Sequence, residues 1–171
     1  MFEGVEENVD GGGRANGAGE EFVAGGAVLF LPVGSTEAHG PHLPLSTDCI
    51  ISLEMARRAA RELEESGHKA LVLPVVAYSV TDFSVDFPGS ISVGSETATA
   101  MIRDICRSVI KQGFKRICVA NSHLEPAHIE SIQKAREIVE RDGGFIPDAE
   151  FLEKPFLPKV LVARVNQMLD R

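Results

Sequence analysis

Two short stretches of this chain hold residue types that ligate metals, at spacings that let them converge. The first, residues 31–48, reads LPVGSTEAHGPHLPLSTD and places Glu37, His39, His42 and Asp48 just after an apolar run. The second, residues 121–126, reads NSHLEP and places His123 two positions before Glu125. In extended backbone, residues two apart point to the same side, so Glu37 pairs with His39 and His123 with Glu125. Asp48, near a helix start, can hold a carboxylate between the pairs. Three carboxylates and two imidazoles suffice for two divalent cations that share the Asp48 carboxylate and a water. Such a pair polarises a carbonyl and lowers the pKa of the shared water toward neutrality. Mixed nitrogen and oxygen donors suit Zn2+ or Mn2+, with Fe2+ a further option, better than thiolate-preferring metals. Any one of these histidines alone is more ordinarily a surface or hydrogen-bonded residue, and HxE pairs arise readily by chance. The joint pattern is what carries weight. His42, held between Pro41 and Pro44, is the weakest candidate, and His128 reads as a residue on a helix face.

The elements around these stretches predict how they meet. Residues 27–33 form a continuous apolar run, as expected of a strand buried on both faces. Asp48 opens a helix to about Ser66, with Gly67 as its stop signal. A second apolar strand spans 70–76, where Pro74 points to an edge position or a bulge. A long connection, 77–93, carries the turn DFPGS, and connections of that length in compact domains are commonly functional. A helix over 96–112 and a third strand over 115–120 follow. Pro126 suits the first turn of a last clear helix, running to about Arg141. Residues 159–169 could form a final amphipathic helix. Strand and helix alternate, which predicts an α/β fold: a mostly parallel sheet with helices on both faces. Ligands in such folds bind beyond the carboxyl ends of the strands. Both acid-and-histidine loops leave carboxyl ends, so they are expected on one edge of the sheet.

Composition narrows the class. At 171 residues, 44% hydrophobic and 25% charged, the chain reads as one soluble globular domain. Residues 1–24, rich in Gly and Glu and poor in large apolar side chains, are expected to be mobile, leaving 25–171 as the single α/β domain. A net charge of −8 argues against nucleic acid or an anionic membrane as partner. No stretch reaches the length of a membrane span, and the acidic N-terminus lacks the apolar segment of a secretory signal. Three cysteines without CxxC spacing read as buried reduced thiols, and a cytoplasmic location fits them. The Gly-rich N-terminal run is not a phosphate loop, because no strand precedes it and no GK[ST] follows.

The motif GSTEAHGPHLPLSTD resembles the signature of the creatininase family, metal-dependent amidohydrolases whose first motif has the form ExH…D after an apolar strand. Glu37, His39 and Asp48 match it, with nine positions from His39 to Asp48. NSHLEP is similar to the family's second motif, usually NGH, and FPGSISV resembles a third, FPGT-S. The likeness covers about residues 27–143. It implies a three-layer α/β arrangement in which Glu37 and His123 hold one ion, His39 and Glu125 the other, and Asp48 bridges. It also implies hydrolysis of a C–N bond other than a peptide bond, in a cyclic amide or related small amide, by a hydroxide shared between the ions. A homo-oligomer, often a hexamer, belongs to the same expectation. Ser122 departs from the usual Gly of NGH, and Asp86 stands where many members carry His. Nothing after Gly143 matches the later HxGxxETS-like element that supplies a catalytic His or an extra acid. No general acid or base is therefore assigned; Asp148 and Glu150 are the nearest late acids. A metal-binding but catalytically weak subunit, serving assembly or binding, is the alternative.

Overall fold

The structure, a computed structural model, describes residues 18–142. In chain order the elements are α1 (Ala18–Ala24), β1 (Val28–Val33), α2 (Thr47–Glu65), β2 (Ala70–Val72), a short 3-10 turn (Asp82–Ser84), α3 (Ser95–Lys111), β3 (Arg116–Asn121) and α4 (Pro126–Arg141). The final helix expected over 159–169 lies outside the described residues, as do Asp148 and Glu150.

The three strands lie side by side in the order β2-β1-β3, all parallel. β1 is the middle strand, and its alternating side chains divide between two apolar layers. Leu29, Leu31 and Val33 meet Ile102, Cys106 and Val109 of α3 and Ile132, Ala135 and Val139 of α4. Val28 and Phe30 face the other way, toward Met55, Ala56, Ala59, Ala60 and Leu63 of α2. Period-two strands and period-3.6 helices thus share one sheet with helices on both faces. The run of alanines on α2 keeps its backbone close to the sheet, since Ala56 and Ala59 are fully buried with little side chain to fill the gap.

Two expectations need correction. Residues 18–24 were expected to be mobile, yet they form α1. Phe22 and Val23 pack against the α3–α4 side of the core, and the Ala27 amide donates to the Phe22 carbonyl at 3.0 Å. Two apolar side chains within a Gly- and Glu-rich segment are enough to dock it. The second strand is also shorter than 70–76. The Leu73 amide still donates to the Phe30 carbonyl at 2.9 Å, and past Pro74, whose missing N–H would face away from β1, the chain rejoins β1 one residue late, through the Val76 amide on the Pro32 carbonyl at 2.9 Å. Among the described residues β2 is an edge strand, the position Pro74 indicated.

What matters for the site is how closely α2 sits on the end of β1. A Cβ at Gly34 would lie 2.6 Å from the Cys49 nitrogen and 2.8 Å from the Asp48 carbonyl carbon. Only glycine allows this approach, which seats the first turn of α2 directly over the strand end. The connection after β2 is then stitched to the loop after β1. The Ile91 amide donates to the Thr36 carbonyl at 2.9 Å, and the Ala38 amide donates to Ser90 Oγ at 3.0 Å.

Candidate functional site

At the carboxyl edge of the sheet, Glu37, His39, Asp48 and His123 converge. Asp48 sits in the first turn of α2, where a carboxylate is favoured by the positive helix end, and it is fully buried. It presents one oxygen to each imidazole: His39 Nε2 lies 3.2 Å from Oδ1, and His123 Nδ1 lies 3.0 Å from Oδ2. Glu37 joins both rings, with Oε1 3.1 Å from His123 Nδ1 and 3.6 Å from His39 Nε2. Ligand atoms of Glu37, His39 and Asp48 all lie within 4.8 Å of one another, a separation that one cation can bridge.

Each ring is oriented from its far side. His123 Nε2 is 2.8 Å from the Val80 carbonyl, which accepts its hydrogen and leaves Nδ1 facing the carboxylates. His39 Nδ1 is 3.2 Å from the Glu37 carbonyl, leaving Nε2 inward. This pattern, with the outer nitrogen on a backbone carbonyl and the inner one free to ligate, is typical of histidines at metal centres. The Glu37 carboxylate and the Asp48 backbone are also fixed. The Thr81 hydroxyl donates to Glu37 Oε2, and the Ser122 hydroxyl donates to the Asp48 carbonyl at 2.6 Å. Glu125 is buried and accepts from two backbone amides, Asp82 at 3.2 Å and Phe83 at 3.3 Å. Its neighbours are thus the 3-10 turn rather than a solvated surface. His42 is exposed on its loop and stands apart from these contacts.

The electrostatics follow from burial. Burial is the largest influence on His123 and disfavours its cation, but hydrogen bonds to Asp48 and Glu37 outweigh it and lift its pKa to about 9. Burial likewise pushes Glu37 up, yet hydrogen bonds from His123 and Thr81 bring it below the usual carboxylate range. Without a metal, a protonated His123 therefore occupies the position of a cation between two carboxylates. A divalent ion would replace that proton with a larger charge, which is the fit expected of a metal-binding donor set.

His128 lies on the inward face of α4. It is fully buried, its Nδ1 against Ser79 Oγ, its Nε2 2.9 Å from Asn121 Oδ1, and its ring 4.8 Å from that of His123 at 57°. Burial, reinforced by the His123 charge, pushes its pKa down to about 3, so it is neutral. A sequence signal for this existed. His128 shares the inward spacing of Ile132, Ala135 and Val139 on α4. Thr81, Val80 and Ser79 carried no such signal beyond the length of their loop.

A parallel α/β domain with a buried acid-and-imidazole cluster beyond its strand ends is the class that fold and site define. A family profile described as Creatininase: Creatinine amidohydrolase matches residues 18–168. A mycofactocin precursor peptide peptidase of Mycolicibacterium smegmatis is 33% identical over 124 residues, covering 70% of this chain and 49% of that protein. A creatinine amidohydrolase of Pseudomonas putida is 32% identical over 107 residues, covering 60% of this chain and 39% of that protein. A solved structure named Creatininase Mn aligns with a TM-score of 0.65 at 27% identity, covering 73% of this chain and 48% of that one. This chain belongs to the creatininase family. It spans about half the length of the curated relatives it matches, or less.

Among the described residues no helix is long and apolar enough to cross a membrane. Cys49, Cys106 and Cys118 are free and buried, and burial pushes the Cys106 thiol up to about 11 and the Cys118 thiol up to about 12.

Proposed function

We propose that the protein is a metal-dependent hydrolase acting on a C–N bond of a cyclic or related small amide. In this reading Glu37 and His123 hold one divalent cation, His39 and Glu125 hold another, and Asp48 is shared. Zn2+ or Mn2+ suits the mixed nitrogen and oxygen donors. The single observation that carries the proposal is the buried Asp48 carboxylate, which turns Oδ1 to one imidazole and Oδ2 to the other. A carboxylate divided in this way has the form of a bridging ligand. When bound, the ions supply a polarised amide carbonyl and a water whose pKa approaches neutrality.

The chain's own residues prepare that site. The Val80 carbonyl holds the Nε2–H of His123, so Nδ1 is directed inward with little freedom to turn away. Thr81 occupies Glu37 Oε2 and leaves Oε1 facing the rings. The Asp82 and Phe83 amides fix both oxygens of Glu125, each of which keeps a further lone pair. Ser122, in the place of the family's usual glycine, ties β3 to the start of α2 through the Asp48 carbonyl. The curated relatives' names cover both an amidohydrolase and a peptidase, which supports amide hydrolysis more strongly than any one substrate. Family membership also supports a homo-oligomer, which sedimentation velocity tests.

The deciding experiment is metal analysis combined with a turnover panel of cyclic amides, formamides and short peptides. Turnover abolished by chelation and restored by Zn2+ or Mn2+ is the expected result. Bound metal with no hydrolysis across the panel favours a binding or assembly subunit instead. Fewer than one divalent ion per chain, unchanged by Glu37→Gln or His123→Ala, sinks the metal-site reading.

A further inference from the structure

We propose that His128, a residue outside the acid-and-imidazole cluster, is a positioning residue that holds His123 in its metal-ready orientation from two directions at once. The inference rests on the metal centre proposed above. His123 is fixed by two different segments. Its ring is held by the Val80 carbonyl, at 2.8 Å from Nε2. Its backbone is held by the Asn121 side chain, whose Oδ1 accepts from the His123 amide at 3.1 Å and whose Nδ2 donates to the His123 carbonyl at 2.7 Å. His128 is the side chain that joins these two supports. One of its nitrogens meets Ser79, the residue before Val80, and the other meets Asn121.

The donors and acceptors fit in only one arrangement. The two bonds to the His123 backbone fix which end of the Asn121 amide is oxygen. His128 Nε2 must therefore donate to Asn121 Oδ1, and Nδ1 of the neutral ring accepts from the Ser79 hydroxyl. Ser79 is in turn anchored through its carbonyl, which accepts from the Val93 amide at 3.1 Å. A buried polar network satisfied at every member is stiff, and partial removal leaves unpaired groups that relax elsewhere. Here relaxation would move Val80 away from Nε2 or turn the Asn121 amide, and either frees the His123 ring. Replacing outer residues of this kind weakens metal affinity by about 10- to 100-fold.

The test compares Zn2+ binding to the full chain and its variants by competition with a chromophoric chelator. Long-range 1H–15N correlation of the imidazoles is recorded on the same samples with and without Zn2+. The expected tautomer of His128 is Nε2–H with a bare Nδ1, and His128→Leu should weaken Zn2+ binding about 10- to 100-fold with its circular dichroism unchanged. His128→Gln, which keeps a donor able to reach Asn121, should recover part of that loss. If His128→Leu does not fold, Ser79→Ala takes its place and should weaken binding in the same direction. A folded His128→Leu or Ser79→Ala protein with wild-type affinity overturns the proposal, as does a His128 proton on Nδ1. A wild-type protein that binds no Zn2+ overturns the metal centre instead. In that case the metal-free spectra decide for His128: an unchanged His123 Nε2 signal in the variants refutes positioning.

Discussion

Metal binding to this protein should displace a proton from His123, and the size of that effect follows from the site. In the metal-free protein Nδ1 lies 3.0 Å from Asp48 Oδ2 and 3.1 Å from Glu37 Oε1. Burial works against the imidazolium, but hydrogen bonds to these two carboxylates raise its pKa from 6.5 to about 9. A cation at Nδ1 needs the neutral ring, so each ion bound there releases one proton while the pH is below that value. Apparent affinity should then rise about tenfold per pH unit, or ~1.4 kcal/mol, from neutral pH until it levels off near the His123 pKa. The same shift governs the metal-free fold. The folded-state pKa is raised, so the contribution to stability is complete below pH 6.5 and lost as pH rises through about 9. That contribution is on the order of 3 kcal/mol. Calorimetric titration of Zn2+ or Mn2+ at pH 8, in two buffers of different ionisation enthalpy, counts the protons. About one proton from His123 is expected beyond the one that a shared water of near-neutral pKa gives up, and the release should be smaller in Asp48→Asn, where a main cause of the raised His123 pKa is gone. A heat independent of buffer, together with an affinity flat between neutral pH and pH 9, would refute this reasoning.

Three further outcomes follow from the same contacts. Gly34→Ala places a methyl 2.6 Å from the Cys49 nitrogen, so α2 must shift from the strand end; a loss of ~1–3 kcal/mol in urea unfolding and weaker metal binding are expected. His128, neutral and pushed down to about 3, makes the metal-free protein less stable as pH falls below 6.5, because the unfolded chain takes up the proton first. Stability should fall by up to ~1.4 kcal/mol per pH unit from this group, measured by chemical denaturation between pH 7 and 5, and a flat profile contradicts it. Cys106 and Cys118, buried with thiol pKa values of about 11 and about 12, should resist iodoacetamide at pH 8 until denaturant is added; rapid labelling of the native protein would contradict their burial.

The layered fold was legible because its signals are local and strong. Continuous apolar runs gave the strands, helical spacing gave α2, α3 and α4, and Pro126 marked a helix start that the structure repeats. The convergence of Glu37, His39, Asp48 and His123 was legible for a topological reason, since loops leaving parallel strands at the same end must meet. What stayed hidden depends on long-range contact. Thr81 and Val80 reach the cluster only because residues 77–93 fold back over it, and nothing in their spacing says so. Ser122 looked like a small departure from the family's glycine, yet its hydroxyl bonds the Asp48 carbonyl. The burial of His128 depends on Ser79 and Asn121, partners that come from two other segments. α1 was missed because composition averaged over residues 1–24 conceals Phe22 and Val23.

The sharing of Asp48 by two ions is open to one direct measurement. The protein is loaded with Mn2+, its metal content determined, and its electron paramagnetic resonance spectrum recorded alongside that of Asp48→Ala. Two ions per chain with an exchange-coupled signal, replaced in Asp48→Ala by the six-line pattern of isolated Mn2+ or by loss of binding, is the predicted result. A single uncoupled ion, or a coupled signal that survives the loss of Asp48, would contradict it.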